Sequence, residues 1–507
     1  MPTDLHSEDS PTIENNAQCS ADERRCMSFP HNIPISIADS PCDVGQVTIN
    51  TFPDDALLYV FDFYLARTSE VEAWHTLVHV CRRWRILVFG SPRRLNLRIK
   101  CTDKTPAVKE KLDVWPALPI VISGDFYSHT HSDNINAALE HRNRICQISI
   151  CFVGQNDIIA LLEDPFPILK DLHLETFGYP LLFDPNPSKF LGGPGSAHLL
   201  QSLILRDAKI PDLLKLLLAT PNLVVLRLYK VRNFFPLDEV VTVLSSLTRL
   251  EILDLDIEFD FTHSDWENQS LTLLTHATLP SLTMLKVTGD IEFLEDLMAR
   301  IYTPLLDHLY ILFSLFQFDL DRTIVLDTPQ LLWFISRTPK LQAPVGAYIA
   351  FNADEFWIVF LHSMRISHRE VNLKISGVEP ERQIPCVAQF FYHSPPFLLP
   401  LLEYLYICGG QRSQRNLTEH TRWLELLQPF TAVKNLYLTK EFAPHIAHAL
   451  QELVGERVME VLPSLENVFI RDFEPSGPVH QVTKEFVVAR QLAGHPITIS
   501  CWDLSTG

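Results

Sequence analysis

The chain has 507 residues and a formal net charge of −19, and 47% of its residues are hydrophobic. That length allows several domains or one long repeat array with a small module attached, and the acidic balance excludes general nucleic-acid binding, which needs a basic footprint. Ten cysteines without a CxxC pair fit buried, reduced thiols rather than a disulfide framework.

Residues 1–46 are rich in Ser, Pro, Asp and Asn and lack apolar periodicity, so a disordered tail is expected there. This polar, acidic start does not read as a signal peptide, and no apolar run approaches the ~18 residues of a membrane span. The expected location is cytoplasmic, nuclear or both.

From Thr51 the pattern changes. In TFPDDALLYVFDFYL, Pro53 suits a first helical turn, and Asp54 and Asp55 suit its positive end. Leu57, Leu58, Phe61 and Leu65 then recur at helical spacing. A second helix is expected over VEAWHTLVHVCRRWRILV, with Trp74, Leu77, Val78, Cys81, Trp84 and Val88 on one side and a stop at Gly90–Pro92. The spacing predicts a compact helical hairpin within residues 47–100.

Beyond residue 100 the pattern apolar-x-x-apolar-x-apolar recurs. It is carried by Ile145, Ile148, Ile150; Leu169, Leu172, Leu174; Leu200, Leu203, Leu205; Leu223, Leu226, Leu228; Leu250, Leu253, Leu255; Leu282, Leu285, Val287; and Leu306, Leu309, Ile311. It resumes at Leu402, Leu405, Ile407; Val433, Leu436, Leu438; and Leu465, Val468, Ile470. The interval between has room for about three more units; Pro339–Phe351 and Glu370–Ile375 are candidates, and Ala353–Met364 is expected to be helical. Helices are also expected from Pro211, Pro236 and Asp290. A unit of one strand and one helix cannot bury its apolar face alone, so neighbours must stack, and the terminal EFVVARQLAGHPITISCW is expected to cap the stack as one helix and one strand. The fold class is therefore α/β: a small all-helical module, then an irregular solenoid over residues 101–507 with parallel strands on the concave side and helices on the convex side.

In such a stack the residue between the last two apolar positions faces away from the helices. These residues are His173, Ile204, Arg227, Asp254, Lys286, Tyr310, Tyr406, Tyr437 and Phe469. The aromatic ones, Tyr310, Tyr406, Tyr437 and Phe469, are the candidate binding surface for a target protein, because exposed aromatics at a regular step contribute large, rigid contact area. Asp254, Asp256, Glu258 and Asp260 alternate onto one side of a strand and form a second, acidic candidate.

No P-loop, HExxH or GxSxG motif is present; GGPGS at Gly192–Ser196 lacks the following Lys and reads as a loop. His129–His131 and the pair His445/His448 lack further ligands. No catalytic, metal or cofactor set follows, and the chain is not expected to be an enzyme.

Two resemblances carry the functional expectation. FPDDALLYVF, WHTLVHVCRRWRILV and SPRRLNLRI together resemble the F-box in its fungal, basidiomycete-like form, at Phe52, Pro53, Leu57, Leu58, Val60, Phe61, Leu77, Val80, Cys81, Arg83, Trp84, Arg85 and Leu87. The Trp often found after the second helix is absent, and Leu95 stands nearest to it. The resemblance implies a module that docks on a Skp-type adaptor, which bridges to a cullin scaffold, with Phe52, Pro53, Leu57, Leu58, Phe61, Val80, Cys81 and Trp84 as adaptor-binding residues. The repeats resemble degenerate leucine-rich repeats; the Asn or Cys usual three positions after the last apolar residue is replaced throughout, by Ala208, Asp290, Ser314 and Glu441 among others. Together the two imply the substrate-recognition subunit of an SCF-type ubiquitin ligase acting on an unknown protein. The alternative is a non-catalytic repeat scaffold for protein–protein interaction with no ubiquitin role.

Overall fold

A computed structural model describes residues 49–67, 73–91, 96–101, 108–114, 118–126, 132–152, 162–176, 181–182, 190–193, 195–210, 213–231, 236–257, 275–314, 326, 328–363, 370–394, 398–409, 420–453, 455–472 and 478–502. The expected tail, Leu95, His129–His131, Glu258 and Asp260 lie outside the described residues. The chain divides between residues 57 and 58 into two units. The described part of the first is the 3-10 turn Ile49–Thr51 and the start of helix α1.

Three helices come first: α1 (Asp54–Arg67), α2 (Ala73–Val80) and α3 (Arg82–Gly90). The single helix expected over Trp74–Val88 is broken at Cys81, whose backbone is extended at φ −156 and ψ 170. The break is stable because its loose ends are bonded: Cys81 Sγ accepts from Trp84 N at 3.4 Å, and Arg85 Nε donates to Val78 O at 2.9 Å. Trp84 packs on Phe61 with ring centroids 4.7 Å apart.

The strands follow in chain order: β1 (Leu97–Lys100), β2 (Ile120–Phe126), β3 (Ile145–Phe152), β4 (Asp171–Thr176), β5 (Leu181–Leu182), β6 (Ser202–Arg206), β7 (Ala208–Lys209), β8 (Val225–Val231), β9 (Ile252–Ile257) and β10 (Ala277–Thr278). They continue with β11 (Met284–Gly289), β12 (Ile301–Tyr302), β13 (His308–Ser314), β14 (Gly346–Phe351), β15 (Glu355–Leu361), β16 (Glu370–Ser376), β17 (Tyr404–Gly409), β18 (Asn435–Leu438), β19 (Asn467–Arg471) and β20 (Thr498–Trp502). Sixteen of them form one sheet in the order β1-β2-β3-β4-β6-β8-β9-β11-β13-β16-β15-β14-β17-β18-β19-β20; β5 pairs with β7 and β10 with β12 in short ribbons. Every pairing in the large sheet is parallel except the two made by β15. This is the mostly parallel, helix-backed stack expected of a leucine-rich-repeat-like solenoid. β1, placed with the helical module from sequence, is paired in register with β2 and is a strand of the sheet.

The repeat pattern maps directly onto register. Leu172, Leu203, Leu226, Leu253, Leu285 and Leu309 are aligned across adjacent strands, as are Leu174, Leu205, Leu228, Leu255, Val287 and Ile311. All are at most 3% exposed. Fully burying each contributes roughly 1.5–3 kcal/mol. Helices cover this row, and successive ones pack on each other: Pro380–Tyr392 on His420–Leu427, that on Ala443–Gln451, and that on Pro478–Leu492. From β14 onward the apolar rows are joined by interlocked aromatics, with Phe351, Trp423 and Phe442 in mutual edge or tilted contact. Gly409 stands where this packing is tightest, since a Cβ there would lie 2.1 Å from the Phe442 ring.

Strand exits reuse one device. Asp207, Lys230 and Asp472, each two positions after the last apolar residue of its repeat triplet, are left-handed at φ 52, 51 and 53. With no Asn ladder, other side chains satisfy the turns. Thr176 Oγ1 donates to Asp207 O at 3.0 Å, and Asp290, at one of the positions where Asn is usual, caps the Ile291–Arg300 helix by accepting from Phe293 N at 2.7 Å.

The long interval holds three strands, as its length suggests, but in another topology. The chain passes over two strand positions to lay down β14, turns back as antiparallel β15, and returns as β16 beside β13. The helix expected over Ala353–Met364 is this β15. Its Trp, Ile, Val and Phe favour strand, and a short turn from Phe351 folds it back on β14, with Asn352 N donating to Glu355 O at 2.9 Å.

The expected terminal helix and strand are Pro478–Leu492 and β20, and β20 is the last strand of the sheet. Arg490, at 0% exposure, fastens that helix: its guanidinium donates to the carbonyls of Leu462 at 3.2 Å and Leu465 at 3.1 Å. Arg490→Ala leaves these carbonyls enclosed without a donor and costs about 3 kcal/mol in chemical denaturation, and Arg490→Lys does not restore it because the planar fork is lost. Wild-type stability in Arg490→Ala would show that the carbonyls are satisfied in another way.

Candidate functional site: two interaction surfaces

The first surface belongs to the helical module. Of the residues expected to touch an adaptor, Leu57 and Phe61 are buried at 1% and 3% exposure, Leu58, Cys81 and Trp84 are half-buried, and Phe52, Pro53 and Val80 are exposed. Leu57 and Phe61 therefore belong to the packed side of α1, and Cys81 has the local task of capping α3. The stripe that helical spacing picks out on α1 is thus the covered one in this chain, with Phe61 against the Trp84 ring.

A second apolar side of α1 is exposed. Phe63 lies three positions after Val60 and four after Tyr59, and the three are 59%, 48% and 72% exposed. On α3, Ile86 and Phe89 are likewise exposed, at 60% and 54%. Single exposed apolar residues need no explanation, but three on one helical side form a patch. Tyr59 and Phe63 lie outside the stripe that the spacing picks out, because α1 carries apolar residues on more than one side.

The second surface is the helix-free face of the sheet. Register places on one row Lys100, Ser123, Ser149, His173, Ile204, Arg227, Asp254, Lys286 and Tyr310. The row continues through Asn372, Val359, Tyr348, Tyr406, Tyr437, Phe469 and Ser500. Every residue expected on this face is on it. The antiparallel insertion adds Asn372, Val359 and Tyr348 between Tyr310 and Tyr406, so Tyr310 does not join the other three.

Tyr406, Tyr437 and Phe469 form a ladder with ring centroids 4.3 and 4.5 Å apart and interplanar angles of 14° and 10°. Parallel strands at ~4.8 Å spacing impose this stacking. Tyr348 extends the ladder at 6.4 Å with a 40° tilt. Trp502 reaches back from β20 to meet Tyr437 edge-on at 5.5 Å and Tyr406 at 6.2 Å, and its Nε1 donates to Leu438 O. The chain thus partly covers its own ladder. Beside the ladder runs a hydrogen-bonded line in which Thr498 donates to Asn467 Oδ1 at 2.6 Å and Asn467 donates to Asn435 at 2.9 Å.

Tyr310 has a different setting. Its hydroxyl donates to Glu370 Oε2 at 3.2 Å, and its ring lies parallel to that of His308. Burial, then the Glu370 charge, pushes the Tyr310 hydroxyl up to about 12. Tyr229 is also pushed up to about 12, by burial and then by Asp254, whose Oδ2 accepts its proton at 2.8 Å. Of the acidic stripe, Asp254 and Asp256 are described, and Asp254 is enclosed. Asp254 is 6% exposed and engaged by Tyr229 and by Lys286 at 3.5 Å. His173, below its ordinary range because of burial, sits among Ser149, Glu175 and Arg206.

No family model and no curated protein sequence matches the chain. Among solved structures, the leucine-rich repeat-containing protein LegL7 of Legionella pneumophila is similar at 9% identity, covering 77% of this chain and 97% of its own with a TM-score of 0.23. A leucine-rich-repeat protein of Leptospira interrogans is similar at 13% identity over 72% of this chain and 98% of its own, with a TM-score of 0.22. The repeat architecture stands on the sheet's own register. Among the described residues no helix is long and apolar enough to cross a membrane.

The two raised hydroxyls set a pH dependence. A tyrosine whose folded value lies above its unfolded value of ~10 contributes stability that is complete below pH ~10. For Tyr229 and Tyr310 that contribution is lost as pH rises from there through about 12. Urea midpoints of the wild type should therefore fall over this interval, and fall less in a Tyr229→Phe/Tyr310→Phe variant; equal losses in the two proteins would refute the assignment.

Proposed function

We propose that the chain is a substrate-recognition subunit of an SCF-type ubiquitin ligase, with α1–α3 as an F-box docking a Skp-type adaptor and the open face of the sheet holding a target protein. The observation that carries the reading is the exposed side of α1. A module of three short helices that keeps Tyr59, Val60 and Phe63 in solvent, after spending Leu57 and Phe61 on its own packing, is built to be covered by another chain. The Pro53–Asp55 opening and the Cys81–Trp84 segment, which carry the resemblance, support the same assignment by forming the start of α1 and the cap of α3. In this reading the protein catalyses nothing; it raises the effective concentration of a target beside the ubiquitin-carrying enzyme. The repeat scaffold without a ubiquitin role shares the open face and differs only in what covers α1.

Co-purification with a Skp-type adaptor separates the two. Tyr59→Asp with Phe63→Asp should abolish capture while the helical signal of the purified chain is unchanged, since both positions are exposed. Substitutions at Leu57 or Phe61 would instead unfold the module. Undiminished capture by the double variant would end the assignment of this side. On the open face, Tyr406→Ala with Tyr437→Ala should reduce target capture at least about tenfold, as loss of stacked aromatic anchors does, and leave adaptor capture intact; full target capture would place the target elsewhere.

A further inference from the structure

The aromatic ladder is partly covered by one of the chain's own side chains. Trp502 is the last residue of β20. Its indole reaches past β19 to meet the Tyr437 ring at 5.5 Å and 84° and the Tyr406 ring at 6.2 Å and 70°, and Nε1 donates to Leu438 O at 3.2 Å. The surface it meets is firmly set. Tyr406, Tyr437 and Phe469 stack at 4.3 and 4.5 Å, and the Tyr406 hydroxyl donates to that of Tyr437. The strand that carries the indole is held less. None of the five residues of β20 is buried, whereas Val468 and Ile470 of β19 are 5% and 2% exposed. Among the described residues β20 pairs with β19 alone. Trp502 is itself half-exposed, so the place it fills borders solvent and is reached without crossing the core.

The side chain seen in this place shows what the place accepts. Stacked rings at a fixed step take another aromatic group across them in edge-to-face contact. The Leu438 carbonyl takes a donor that stands beside that group, within the same side chain. A phenylalanine ring has no donor, and the tyrosine hydroxyl lies at the far tip of its ring, whereas the indole N–H lies on the flank. An aliphatic side chain makes neither contact, and a charged one loses its water against the rings. We propose that the place now filled by Trp502 receives a tryptophan side chain of the target protein, which displaces Trp502, sets its indole across Tyr406 and Tyr437 and donates its N–H to Leu438 O. Trp502 is then a tethered competitor that covers the ladder until the target arrives. This rests on the reading of the open face as the target-holding surface, and names the side chain that the ladder selects.

The test uses the full chain, its Trp502→Ala variant and N-acetyl-tryptophanamide as the probe, with binding followed by saturation-transfer NMR. A tethered side chain competes at an effective concentration of about millimolar, so the probe should bind Trp502→Ala at least about tenfold more tightly than the wild type. Two further probes, N-acetyl-1-methyltryptophanamide, which has no indole N–H, and N-acetyl-tyrosinamide, should each bind that variant about fivefold more weakly, as loss of one hydrogen bond does. Tyr406→Ala with Tyr437→Ala in the Trp502→Ala background should remove binding. Trp502→Phe keeps a ring on β20 without the anchoring N–H; it too should bind the probe more tightly than the wild type, and it decides the matter if the alanine variant does not fold. Probe binding no tighter to these variants than to the wild type, equal binding of the methylated or the tyrosine probe, or binding that survives loss of Tyr406 and Tyr437 would each overturn the proposal. Target capture lost in Tyr406→Ala with Tyr437→Ala does not depend on which side chain the target brings, so failure here leaves that broader reading standing.

Discussion

A single strand of this chain has nowhere to put its leucines. Leu226 and Leu228 are covered because Leu203 and Leu205 stand beside them on β6, Leu253 and Leu255 on β9, and a helix lies behind all three. The register that aligns the apolar residues is therefore the constraint from which the rest follows. A slip of one residue would turn every leucine on a strand to solvent and every polar partner into the core. The same register fixes the other face, so the order of functional side chains there is a by-product of burying the leucines.

That by-product has two different outcomes along the sheet. Over β4 to β11 the open face carries charge, and its residues neutralise one another through partly enclosed contacts such as Arg206 with Glu175 and Lys286 with Asp254. Over β14 to β19 the row is aromatic, and strand spacing stacks the rings into a ridge that shows edges rather than faces. Trp502 closes part of that ridge from the last strand. A partner lying along the whole row would meet a polar stretch with fixed donors and acceptors and then a rigid apolar one.

Much of this was legible in the residues. The apolar triplets located the inner strands because fully covered leucines at fixed spacing leave no other period to read, and the residue between the last two named the open row at every clear unit. Where legibility failed, two physical effects competed. In β15 the run EFWIVFL is apolar on both sides, so alternation could not be told from helical spacing, and only pairing with β14 and β16 settled it. In α1 helical spacing picks out the stripe through Leu57 and Phe61, which is buried, and gives no signal for the exposed Tyr59 and Phe63. The break at Cys81 left no propensity signal; it depends on Arg85 reaching back to Val78 O, a contact that exists only once the helices have formed.

The hairpin of β14 and β15 has a consequence for how the molecule assembles. From β2 through β13 each strand of the sheet can dock on one made shortly before it, so order can spread outward step by step. At β13 this stops. Its next neighbour, β16, is made only after β14 and β15, and Leu309 must wait for Val371. Closing that loop carries an entropic cost that no local contact offsets in advance. At the seam between β13 and β16 the strand order thus departs from the chain order, and a nascent chain would present the open edge of β13 until β16 has been made.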